Sequence, residues 1–142
     1  MDRRDPFPRR TATLGLMMPW LTEIATTLPG LVRSYGPGEV CVGETVLRRS
    51  CLISADRLIE DWRPQTLDEL TEADLEAVFA LQPEIVVLGS GSRQRFPEPR
   101  LLAAIMARGI GCEVMDTGAA CRTYNVLVSE ARRAVAALLL GE

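Results

Sequence analysis

Two short stretches hold the side chains best able to do chemistry: Cys112-Glu-Val-Met-Asp-Thr-Gly-Ala-Ala-Cys-Arg-Thr-Tyr-Asn125 and Gly89-Ser-Gly-Ser-Arg-Gln-Arg95. Cys121 is the one plausible nucleophile. A thiol in a helix's first turn, beside Arg122, has its thiolate favoured. Cysteine is also a frequent small core residue, and that packing role competes with reactivity. Asp116 or Thr117 suits an N-cap, worth roughly 1 kcal/mol, as well as a catalytic acid. Arg93 and Arg95 can clamp an anion or simply face solvent. Gly89, Ser90 and Gly91 can let a ligand approach the backbone, or just make a tight strand-to-loop turn. The run lacks the third glycine of a dinucleotide fingerprint, because Gln94 stands there, and the lysine of a phosphate loop.

Composition narrows the chemistry further. The chain of 142 residues has no histidine, and all sixteen of its cationic side chains are arginine. Histidine bases and ligands, lysine Schiff bases, and Ser-His or Ser-Lys pairs are thereby excluded. Carboxylates, cysteine, tyrosine and backbone dipoles remain. A net charge of -3 without a dense basic run gives no footprint for nucleic acid. Cys41, Cys51, Cys112 and Cys121 lie ten, sixty-one and nine positions apart, unlike a zinc site or a redox pair. A hairpin turning at Gly43-Glu44 sets residue 42 opposite 45 and 41 opposite 46, which leaves Cys41 and Cys51 out of register for a disulfide. Reduced thiols and a cytoplasmic setting follow as the expectation. No metal, cofactor or catalytic residue is assigned.

The elements that must position these residues begin at Leu31. Residues 1 to 30 hold charged and proline-interrupted sequence without a sustained period and read as a loose tail. Met17 and Met18 leave a second translation start open there. No signal peptide or membrane-crossing segment is expected. With 47% hydrophobic residues, positions 31 to 142 suffice for one domain. Leu31 to Tyr35, Val40 to Val42 and Thr45 to Leu47, joined at Gly36-Pro-Gly38 and Gly43-Glu44, predict a small antiparallel meander. Cys51 to Ser54 is a further strand candidate, followed by Asp56 to Trp62, which Pro64 closes. Trp62 suits a core plug or an interface anchor.

The second half reads as α/β. Thr66-x-x-Glu69 and Thr71-x-x-Asp74 are overlapping capping-box starts for a helix that Pro83 closes. Glu84 to Leu88 and Ile110 to Met115 are buried strands of the parallel type. Between them, Glu98 to Arg108 predicts a helix with Pro99 in its first turn and Gly109 as its stop. A last helix is predicted from about Gly118 to Leu140, with Leu127, Ala131, Ala134, Val135 and Leu138 on one stripe. In such a βαβ unit both strands end at the same edge. The loops after them then bring Gly89, Ser90, Gly91, Ser92, Arg93 and Arg95 beside Asp116, Thr117, Gly118, Cys121, Arg122 and Asn125, where α/β sheets usually bind ligands.

Strand Ile85-Val-Val-Leu with Gly89-x-Gly91, then Arg108-Gly-Ile110, Glu113-Val-Met-Asp-Thr117, Ala120-Cys121, Thr123-Tyr-Asn-Val-Leu127 and Glu130-x-Arg132, resembles the domain family that includes the mitochondrial complex I assembly factor 3. Tyr35-Gly36, Gly43 and Trp62 agree more loosely, and Ser90 stands where many members carry threonine. The resemblance implies a three-layer β+α/β/α fold with a mixed, mostly parallel five-stranded central sheet, one strand running against the others. It implies no reaction and no catalytic residues. It points instead to a non-enzymatic protein-interaction or assembly module with protein partners, a homo-oligomer being left open. The alternative is a small-molecule (anion) binding protein or a cysteine-dependent enzyme using the crevice at the C-terminal ends of the parallel strands.

Overall fold

The computed structural model describes residues 30–141. The expected tail over residues 1 to 30 and the second start at Met17 or Met18 fall, Gly30 aside, outside the described residues. The meander comes first among them: β1 (Val32–Gly36), β2 (Glu39–Val42) and β3 (Thr45–Leu47), antiparallel in that order. The hairpin pairs Val42 with Thr45 and Cys41 with Val46, the register the turn predicts.

Five more strands form the central sheet. β4 (Cys51–Ile53), β5 (Leu58–Ile59), β6 (Ile85–Gly89), β7 (Gly111–Met115) and β8 (Ala134–Leu138) lie in the order β5-β4-β8-β6-β7. β6 is parallel to both β7 and β8, while β4 is antiparallel to β8 and β5 antiparallel to β4. One strand, β4, therefore runs against the other four. Among the described residues the α-helices are α1 (Leu75–Phe79), α2 (Pro99–Met106) and α3 (Thr117–Ser129). Chain direction across the sheet reverses between the β6-to-β7 and β7-to-β8 crossovers. The right-handed rule then puts α2 and α3 on opposite faces.

Each face has its own core. On one, Cys51, Ile53, Val87, Ala134, Ala136 and Leu138 meet Ala120, Cys121, Tyr124 and Val128 of α3 and the inner side of the meander, Val32, Val40, Val42 and Leu47. On the other, Leu52, Val86, Leu88, Val135 and Ala137 meet Trp62, Leu75 and Val78 with Leu101 and Ile105 of α2. The arrangement is the three-layer β+α/β/α fold. Trp62 is a core plug, and its indole N–H donates to the Asp74 carbonyl at 3.1 Å.

The C-terminal reading needs correction. α3 stops at Ser129, and the segment predicted to continue it to Leu140 is β8, a strand at the centre of the sheet. Ala131 takes φ +64, and Arg132 N–H bonds back to the Leu127 carbonyl, which turns the chain out of the helix. Every residue of β8 is buried, so its apolar run carries no strand alternation, and its alanines favour helix in isolation. The proposed stripe through Ala131, Ala134 and Leu138 does not exist. Other boundaries move less. Of Asp56 to Trp62 only Leu58–Ile59 is strand, and α1 ends at Phe79, ahead of Pro83. Of the two capping boxes, Thr71 with Asp74 forms, the carboxylate accepting from Thr71 N–H at 2.8 Å, whereas Thr66 makes no side-chain cap. Gly109, at φ +75, ends the turn after α2 as predicted.

β1 is held to α3 by an unusual partner. The buried Asn125 amide accepts from Val32 N–H at 2.9 Å and donates to the Val32 carbonyl at 2.8 Å, standing in for a neighbouring strand. The Tyr124 hydroxyl donates to the Gly30 carbonyl at 2.7 Å just before it. Asn125→Ala strands both backbone groups of Val32 in a dry interface. We expect a loss of roughly 2–4 kcal/mol in urea unfolding; a change within about 0.5 kcal/mol, the range of ordinary surface substitutions, would contradict this clamp.

Candidate functional site

The loops after β6 and β7 meet at one rim, the C-terminal edge of the parallel strands. Thr117, the first residue of α3, ties them together. Its N–H donates to the Gly91 carbonyl at 2.8 Å, its Oγ1 accepts from Gly91 N–H at 3.0 Å, and its hydroxyl donates to the Leu139 carbonyl beyond β8 at 3.1 Å. A Cβ on Gly89 would come within 2.9 Å of the Thr117 Cα, so glycine is what lets the end of β6 touch the helix start. Ser90, almost wholly buried, accepts from Arg95 N–H at 3.0 Å, and its hydroxyl points at the Arg93 and Met115 carbonyls. It shapes the loop from within.

Beside this junction lies a cleft of about 300 Å³, lined by the β1–β2 turn (Tyr35, Gly36, Pro37, Gly38), by Gly91 and Ser92, by Asp116, Thr117 and Gly118, and by Leu139 and Leu140. Asp116 is the N-cap of α3, its Oδ1 accepting from Ala119 N–H at 2.8 Å. Gly118 lets the Tyr35 ring lie close, since a Cβ there would stand 2.9 Å from Tyr35 Cε1. Arg122 closes that side: its guanidinium stands 5.8 Å from the Tyr35 ring centroid and donates to the Tyr35 hydroxyl.

Of the predicted residues, Gly91, Asp116, Thr117 and Gly118 line the cleft, with Arg122 at its margin. Gly89 and Ser90 build the loop behind it. Arg93 and Arg95 are not in the lining; Arg95 pairs instead with Asp68 at 3.0 Å. Asn125 serves β1, and Cys121 is fully buried. Ser92, expected on the same loop, lines the cleft too, whereas Tyr35 to Gly38, Leu139 and Leu140 escape the sequence reading. The Gly-Pro-Gly turn is legible as a turn, but its place over α3 depends on the distant Asn125 clamp, and Leu139-Leu140 lie at the end of the segment that reads as helix.

Cys121 lies in the core between α3 and the central sheet. Burial pushes its thiol up to about 12, outweighing the opposite pull of Arg122, and burial likewise pushes Cys51 on the facing strand to about 12. Cys112, half-buried, is raised to about 11 for the same reason. All four cysteines are free. Raised values favour the protonated thiol of Cys51, Cys112 and Cys121 at neutral pH. With a maleimide at pH 7, Cys41 should label first and Cys51 and Cys121 only on unfolding, read by peptide mass; labelling of Cys121 as fast as Cys41 would refute the packing role.

Comparison with known proteins agrees with this fold. A bovine (Bos taurus) protein named NADH dehydrogenase [ubiquinone] 1 alpha subcomplex assembly factor 3 is 39% identical over 121 residues, covering 84% of this chain and 65% of its own length. The chain thus spans under two thirds of that relative. The NMR structure of a Xanthomonas campestris protein aligns with TM-score 0.72 at 43% identity, over 78% of this chain and 83% of that one. A Bordetella parapertussis crystal structure aligns with TM-score 0.75 at 34% identity, over 80% and 98%. Among the described residues no helix is long and apolar enough to cross a membrane. The family model described as "Protein of unknown function (DUF498/DUF598)" matches residues 32–139, and with its central sheet, its meander and its Thr117 junction inside that span, the chain belongs to this family.

Proposed function

We propose that this chain is a non-catalytic protein-interaction module that assists assembly of a membrane-bound NADH dehydrogenase. The observation that carries the reading is the likeness to the assembly factor, which extends over 84% of the chain. The rim supports it. Among the described residues the cleft pairs no base with a nucleophile, its one acidic side chain caps a helix, and Cys121 and Cys51 nearby are buried. Such a surface suits recognition more than turnover. Reduced thiols fit work in the cytoplasm, where dehydrogenase subunits outside the bilayer would be met before they join the complex.

Deleting the gene in its own cells tests this. Assembled NADH dehydrogenase, read on native gels and as NADH:quinone activity of isolated membranes, should fall several-fold and return when the chain is resupplied. A normal amount of assembled enzyme in the deletion strain would overturn the proposal.

A further inference from the structure

The cleft at the rim has a chemistry of its own. Its walls are mostly apolar, built from Tyr35, Pro37, the glycine backbones and Leu139 with Leu140. Among the described residues Asp116 is its one charged lining residue, and no arginine lines it. Only one of the Asp116 carboxylate oxygens is engaged: Oδ1 takes the Ala119 N–H, and among the described residues no protein donor meets Oδ2. The Thr117 hydroxyl is already committed to the Leu139 carbonyl and to Gly91 N–H. Arg122, at the margin, is held against Tyr35 through its hydroxyl.

We infer that this cleft receives an arginine side chain of a partner polypeptide. An arginine pairs a long apolar stem with a flat cationic tip, so the stem can lie along the apolar walls while the charge meets a carboxylate. The guanidinium also packs well beside an aromatic ring, and Tyr35, 42% exposed at the mouth with the chain's own Arg122 guanidinium 5.8 Å from its ring centroid, supplies one. Within the lining itself an anionic group would meet the Asp116 carboxylate, Arg122 lying at the margin. The volume, about 300 Å³, holds one such side chain. The inference rests on reading the chain as an interaction module and names the chemistry of the partner group that the module grips.

The full chain, labelled with nitrogen-15, would be titrated with the N-acetyl methylamides of arginine, citrulline and glutamate. Citrulline keeps the length and shape of arginine without its charge. Arginine should shift the amides of Tyr35, Gly38, Gly91 and Gly118 and bind roughly fivefold more tightly than citrulline, as an ion pair worth about 1 kcal/mol requires; glutamate should leave these amides unmoved. Asp116→Asn removes the charge while keeping an N-cap of equal quality, so it should preserve the melting temperature and bring arginine down to the citrulline level. Equal binding of arginine and citrulline, preference for glutamate, shifts confined to residues outside the cleft, or no shift with any of the three would each overturn the inference. The wild-type comparison needs no variant to fold. If gene deletion impairs dehydrogenase assembly and Asp116→Asn restores it fully, the inference falls and the function stands; arginine binding without any assembly defect gives the reverse.

Discussion

One threonine holds the rim together. Thr117 bonds through its N–H and its hydroxyl to the loop after β6 and to the chain leaving β8, so three segments far apart in sequence meet at the start of one helix. The junction is part-buried at the wall of the cleft, and its donors and acceptors are paired with one another. The close contact exists because Gly89 carries no side chain to keep β6 away. The cleft is the space left over when these segments and the β1–β2 turn come together.

The second constraint is the attachment of the meander. A three-stranded sheet of this size has little stability alone. Here its inner side shares a core with α3 and the central sheet, and Asn125 closes the free edge of β1 at Val32. That clamp fixes where Tyr35 falls, a few residues further on, against Gly118 and Arg122. Tyr124 and Asn125 thus act on the candidate site at a distance, by holding the strand that carries its aromatic wall.

Much of this architecture can be read from local pattern. The β-branched run Ile85-Val-Val, the Pro99 and Gly109 boundaries of α2 and the register at Gly43-Glu44 each carry a short-range signal, and each appears in the fold. The meeting of the two loops follows from parallel strands sharing one edge. β8 is different. Ala134-Val-Ala-Ala-Leu is buried on both faces and short of β-branched residues, so nothing in its spacing separates a strand from the last turns of a helix. Its identity is set by the gap between β4 and β6 that it fills. The site divides the same way: Asp116, Thr117 and Gly118 are local signals, whereas the contributions of Tyr35 and Leu139 exist only in three dimensions.

The most direct test of the rim is hydrogen exchange at the Gly91 amide, in the wild type and in Thr117→Val, which keeps the side-chain shape and removes both Oγ1 bonds. The amide should be protected in the wild type and exchange about tenfold faster in the variant, with β8 amides unchanged. A Gly91 amide that exchanges at the rate of an unfolded chain in the wild type would show that the junction does not hold, and the cleft with it.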